Sequence, residues 1–114
     1  MLLSVLDGNG TAQKVITNGQ TSPNDVSGVI ASTGVSQLVV AANVNRSGFV
    51  LQNNGSSNMY INELGLAASS SITANNGSWT VPPGGTFPPS GWAVTTAAIN
   101  ILGTATQAFT AREW

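Results

Sequence analysis

All formal charge in this 114-residue chain sits on four carboxylates, Asp7, Asp25, Glu63 and Glu113, and three cations, Lys14, Arg46 and Arg112; histidine and cysteine are absent. A Ser-His-Asp relay and a histidine- or thiolate-bound zinc therefore cannot be assembled within one chain. Acid–base chemistry would need two carboxylates roughly 5–10 Å apart across a sugar. Their contexts argue against that. Asp7 lies in Asp7-Gly8-Asn9-Gly10 and Asp25 follows Pro23-Asn24, both turn or loop settings. Glu63 ends an apolar segment, where a side chain is expected to face solvent rather than a pocket, and Glu113 beside Arg112 is expected in an inter-chain or terminal salt bridge.

The same stretch, Asp7-Gly8-Asn9-Gly10, has the oxygen-rich look of a calcium loop but lacks the further ligands and the late bidentate Glu that such a loop needs. No glycine pattern forms a phosphate-binding loop. Three isolated cations cannot neutralise a phosphate backbone, so nucleic acid is not an expected partner. No catalytic, cofactor-binding or metal-ligating residue is expected, and the chain reads as a non-enzyme. Trp79 and Trp92 flank a proline-rich segment, where they either cap the ends of a small core or, if exposed together, contact a protein or stack on a carbohydrate. Trp114 belongs either to an interface or to packing on its own domain.

Charged residues make up 6% of the chain, against roughly 25% in an ordinary globular protein. Ser, Thr, Asn, Gln and Gly take their place. Such a surface is hydrated but offers little repulsion between copies, which points to a chain that works within an assembly. MLLSVLDGNG lacks the basic start and long apolar core of a signal peptide, and no segment approaches the roughly 18 apolar residues of a membrane-spanning helix. A soluble, unprocessed protein with no membrane partner is expected.

The elements that would hold these residues are short and extended. Residues 2–17 read as a hairpin around Asp7-Gly8-Asn9-Gly10, and residues 18–24 as punctuation. Strands are expected over 26–30 and 35–41, where Val39 and Val40 favour extended backbone; an amphipathic helix over 35–45 is the weaker alternative. The clearest signal is a period of two in Phe49, Leu51, Met59 and Ile61 around the polar patch 53–58, which predicts a hairpin with one covered face. A long loop with a short extended piece near Ile72 follows. Residues 79–81, Phe87, 92–96, 100–102 and 105–111 complete the strands, with Pro82-Pro83-Gly84-Gly85 and Pro88-Pro89-Ser90-Gly91 forbidding helix interiors and Gly103-Thr104 as the last turn. The expectation is one all-β domain over 1–114, a small antiparallel β-sandwich or β-barrel. Its first 17 residues would form an N-terminal hairpin or an arm contacting a neighbouring subunit.

Between Val39 and Gly65, the stretch VAANVNRSGFVLQNNGSSNMYINELG resembles a segment recurring in small structural proteins of tailed bacteriophages: Ala-Asn-x-x-Arg, apolar strand, Gln-Asn-x-Gly-Ser, apolar strand. ILGTATQAFTAREW and VLDGNGTAQKV are similar to the closing and opening segments of those proteins, so the resemblance touches about half the chain in three separate parts. It implies a virion protein made in the host cytoplasm. The implied role is capsid decoration or cementing through contacts with the major capsid protein and with further copies of itself, a trimer among the possible oligomers; the alternatives are a neck, tail or fibre component and a carbohydrate-binding module. It also implies structural roles for Arg46, Gln52 and Asn53, hydrogen-bonding the loop and the strand edge.

Overall fold

The computed structural model describes residues 3–6, 12–15, 22–71, 75–89 and 95–114. Eleven strands appear among them, and no helix: β1 (Leu3–Leu6), β2 (Ala12–Val15), β3 (Asn24–Asp25), β4 (Gly28–Val29), β5 (Gln37–Val40), β6 (Phe49–Asn53), β7 (Met59–Asn62), β8 (Trp79–Val81), β9 (Thr86–Phe87), β10 (Ile99–Leu102) and β11 (Ala108–Glu113). One sheet runs β5-β10-β7-β8; the other runs β3-β11-β6-β9, with β4 also on β11, and every pairing is antiparallel. The two sheets pack face to face as a small β-sandwich, the first of the two architectures expected.

Alternation decides which side chains meet between the sheets. Ile99, Ile101, Met59, Ile61 and Val81 come from the first sheet, and Phe49, Leu51, Phe87, Phe109 and Ala111 from the second; all are buried in one cluster with Ile30 and Val40. Each of these side chains larger than Ala111 contributes about 1.5–3 kcal/mol by leaving water. The β-branched residues at 39 and 40 go into strand β5, not into a helix.

The predicted hairpin over 49–62 does not form. β6 pairs with β11 and β9, while β7 pairs with β10 and β8, so residues 54–58 carry the chain from one sheet to the other. The period of two was a true report of two half-buried strands, but alternation records a covered face and not a partner. Phe49 and Leu51 face the core from one side, and Met59 and Ile61 face it from the opposite side.

Gly103-Thr104 likewise lies on a crossing rather than in a hairpin, because β10 and β11 belong to different sheets. The tight bend there falls on Ala105 and Thr106, with Thr106 at φ 70°, and the last strand accordingly starts at Ala108 rather than at 105. Residues 95 and 96 are not strand; Trp92 and Ile72 lie outside the described residues. Pro82-Pro83-Gly84-Gly85 closes with Gly85 N–H donating to the Pro82 carbonyl at 2.8 Å and Gly84 at φ 76°, the type II arrangement of Pro then Gly. β1 and β2 pair as expected, Leu3 opposite Val15 and Leu6 opposite Ala12, in a two-stranded sheet hydrogen-bonded to neither larger one.

Where β4 and β5 leave a gap between the sheets, the Gln37 carboxamide fills it. Its Nε2 donates to the Val29 carbonyl at 3.0 Å and its Oε1 accepts from Ala31 N–H at 2.9 Å. These are the two groups that a residue of a neighbouring strand would satisfy.

Leu51 and Leu38 offer a direct test of this arrangement. Leu51→Ala is expected to cost about 2–5 kcal/mol in urea unfolding, since Leu51 is wholly buried, whereas Leu38→Ala on the outer face should stay within about 0.5 kcal/mol.

Candidate functional site

The polar residues that are buried hold the framework. At one end of the sandwich the Arg46 side chain is fully enclosed, its Nε donating to Glu113 Oε1 at 3.0 Å. Nη1 donates to the carbonyls of Thr95 and Ala97, both at 2.8 Å, and Nη2 to that of Ala41 at 2.6 Å. Asn43 Nδ2 adds a bond to the same Glu113 oxygen at 3.3 Å. One guanidinium thus joins the end of β5, the 95–97 segment and the end of β11. Glu113, next to the last residue, makes its salt bridge within the chain to Arg46, because β11 runs antiparallel to β6 and brings position 113 beside the residues preceding Phe49.

At the other end Asn53 does comparable work. Its Nδ2 donates to the carbonyls of Ser57 at 2.7 Å and Val81 at 2.9 Å; its Oδ1 accepts from Gly55 N–H at 2.8 Å and Gln107 Nε2 at 3.1 Å. Gln107 Nε2 also donates to the Ser57 carbonyl, and its Oε1 accepts from Thr104 N–H at 3.0 Å. Asn53 N–H and carbonyl reach Gly85 and Gly84. A Cβ on Gly55 would lie 2.0 Å from Gln107 Cγ, so only glycine lets that amide through. Arg46 and Asn53 therefore have framework roles of the expected kind. Gln52 contributes less, reaching the Gly84 carbonyl at 3.5 Å from an exposed position.

A third polar residue covers the outer face of the first sheet. Asn62 sits on that face opposite Asn100, yet is buried, because the chain after β7 folds back over it. Asn62 Oδ1 accepts from Leu64 N–H at 2.9 Å and Leu66 N–H at 3.2 Å; Asn100 Nδ2 donates to the Leu66 carbonyl, and Ala68 N–H to Ser36 Oγ. This strap leaves Leu64 and Leu66 62% and 41% exposed, on the same face as Leu38 at 56%.

Of the remaining charges, Asp25 and Arg112 form a second, exposed ion pair. Asp25 occupies β3 rather than a loop, and its Oδ1 accepts from Arg112 Nη1 at 2.7 Å and Ser27 N–H at 3.0 Å. The hydroxyl and N–H of Ser27, helped by Arg112, hold the Asp25 carboxyl below the usual carboxylate range. Glu63 is half-buried, with Oε2 enclosed and unpaired among the described residues, rather than turned to solvent. Asp7 and the Lys14 side chain lie outside the described residues. Among the described residues no three acidic, His or Cys side chains gather as a metal site would require.

Trp79 stands at the start of an edge strand opposite Ile61 and is 44% exposed. Trp114 packs on its own domain: its indole lies over Gly48, where a Cβ would come within 2.0 Å of Cε2, and its carbonyl accepts from the N–H groups of Ser47 and Gly48.

Two shallow clefts, with no charge among their described lining residues, flank the Asn53–Gln107 end. One, of about 550 Å³, lies between residues 54–57 and 104–108; the other, of about 340 Å³, opens over Tyr60 and Leu102, and the two share Ser57 and Thr104. Sequence reasoning singled out neither Gln107 nor Asn62. Both are amides in a chain full of exposed amides, and only the register of the flanking strands distinguishes them.

Removing Arg46 would strand three carbonyls and Glu113. Arg46→Ala is expected to cost about 3–5 kcal/mol in urea unfolding, and Arg46→Lys to recover only part of it, since an ammonium cannot span the same acceptors. NMR titration of Asp25 should give a pKa below the usual value of about 3.9. A depressed carboxyl adds stability that is complete above the unfolded pKa and disappears as pH falls through the folded one, so Ser27→Ala should shrink this acid-side loss. Comparison with family models, with curated proteins and with solved structures gives no match to this chain.

Proposed function

We propose that this chain is a structural protein of a phage virion that decorates and cements the capsid. The observation that carries the reading is the outer face of the first sheet, where Leu38, Leu64 and Leu66 stand exposed on a surface with almost no charge. An apolar face rimmed by neutral polar groups is a form suited to association. Arg46, Glu113, Asn53 and Gln107 are committed to holding the sandwich, which supports a mechanical role and no catalysis.

In this reading the sandwich binds the major capsid protein and, as an oligomer of which a trimer is one form, further copies of itself, and resides in the virion after synthesis in the host cytoplasm. Many modest contacts repeated by symmetry would supply the holding strength. The resemblance of residues 39–65 to phage structural proteins supports the same assignment. The alternative within this class is a neck, tail or fibre component. A carbohydrate-binding role resting on paired tryptophans has Trp79 alone to support it among the described residues.

Co-sedimentation with expanded capsid shells tests the assignment. The purified protein should bind saturably, and the double variant Leu38→Ser/Leu66→Ser should bind at least roughly tenfold more weakly while keeping its thermal midpoint. Binding to isolated neck or fibre complexes but not to shells would transfer the role to the alternative.

A further inference from the structure

The cleft over Tyr60 has a composition that the framework does not explain. Tyr60 stands on the outer face of the first sheet, paired across the strands with Leu102 and Thr80. Around it the cleft of about 340 Å³ is edged by Ser57, Asn58, Ser70 and Thr104, and none of its described lining residues is charged. The side-chain polar groups of Tyr60, Ser57, Asn58, Ser70 and Thr104 make no hydrogen bond to any described residue. Nearby Asn53 and Gln107, by contrast, spend their amides on holding the chain.

Ligand chemistry follows from that inventory. Without a cation, the cleft cannot compensate a phosphate or carboxylate; without an enclosed apolar pocket, it cannot hold an aliphatic guest. What it offers is one aromatic ring beside several neutral donors and acceptors. A pyranose presents matching chemistry: polarised C–H groups for the electron-rich face of a ring, and hydroxyls that both give and accept hydrogen bonds. The volume falls in the lower part of the range of about 300–1,000 Å³ seen for small-molecule sites.

The rims are also held in advance. Ser57 is fixed through its carbonyl by Asn53 and Gln107, and Thr104 through its N–H by Gln107, so a ligand would not have to order them. The adjoining cleft of about 550 Å³ continues past Ser57 and Thr104, giving a chain of sugars somewhere to extend.

We infer that the cleft over Tyr60 is a binding site for neutral saccharides, independent of Trp79 and of the capsid assignment. The isolated protein suffices to test it, so failure here and failure of shell binding are separate results. An array of neutral gluco-, galacto-, manno- and N-acetylglucosamine oligosaccharides is screened first, and the best probe is followed by NMR titration. At least one glycan should be retained, with shifts centred on Tyr60, Asn58 and Thr104 and with little dependence on salt. Tyr60→Ala should weaken it by roughly tenfold or more, Tyr60→Phe should keep most of the affinity, and Trp79→Ala should leave it unchanged. If Tyr60→Ala does not fold, Asn58→Ala/Thr104→Ala gives the same readout and should also lose binding. No retained glycan, retention of neutral peptides only, steep salt dependence, or binding that survives Tyr60→Ala but fails in Trp79→Ala would each overturn the inference.

Discussion

The Asn53 carboxamide is the point on which three passages of the chain depend. The crossing from β6 to β7, the turn after β8 and, through Gln107, the crossing from β10 to β11 all meet at its two polar atoms. A sandwich whose consecutive strands mostly change sheets must bury turning backbone at its ends, where no ladder satisfies the carbonyls and N–H groups. A side-chain amide answers this need because it carries one acceptor and two donors in a fixed plane. Arg46 does the same at the far end with a guanidinium, which suits a place where most of the groups to be satisfied are carbonyls. Glu113 balances its charge, so the ion pair compensates a buried cation rather than adding much net stability.

This division of labour separates the inside of the molecule from its outside. Among the described residues the buried polar side chains are partnered within the chain except at Asn62 Nδ2, Glu63 Oε2 and Asn76 Oδ1, and the surface is left with leucines, hydroxyls and amides. The outer face of the first sheet is covered only partly, since the strap over Asn62 leaves its own leucines outside. The second sheet shows no comparable group of exposed leucines among the described residues. The two faces of the sandwich are thus chemically unequal.

Much of the architecture was legible in the sequence because burial has a period. Phe49, Leu51, Met59, Ile61, Ile99 and Ile101 announce strands with one covered face, and the prolines at 82, 83, 88 and 89 rule out helix between them. Apart from the β1–β2 hairpin, pairing was not legible. A six-residue polar connection such as 53–58 is equally able to turn back or to cross about 10 Å to a facing sheet. What decides the matter is Asn53, whose burial depends on residues more than fifty positions away. The framework role of Arg46 was accessible from its motif context, whereas that of Gln107 was not. The partner of Glu113 was not legible either, since Arg46 stands 67 positions away along the chain. Asn62 shows the same limit: by alternation it points outward, and only the strap over it makes it buried.

The Gln37 amide between β4 and β5 has a consequence for life at high local concentration. A protein with so few charges has little long-range repulsion to keep copies from zipping together through open strand edges, and a row of unpaired backbone groups is the usual starting point for such growth. By presenting a carbonyl and an N–H where another chain's backbone would dock, Gln37 occupies a nucleation point from within its own molecule. Solubility at that edge is then a matter of hydrogen-bond capping, one amide standing in for the lysines that other β-proteins place there.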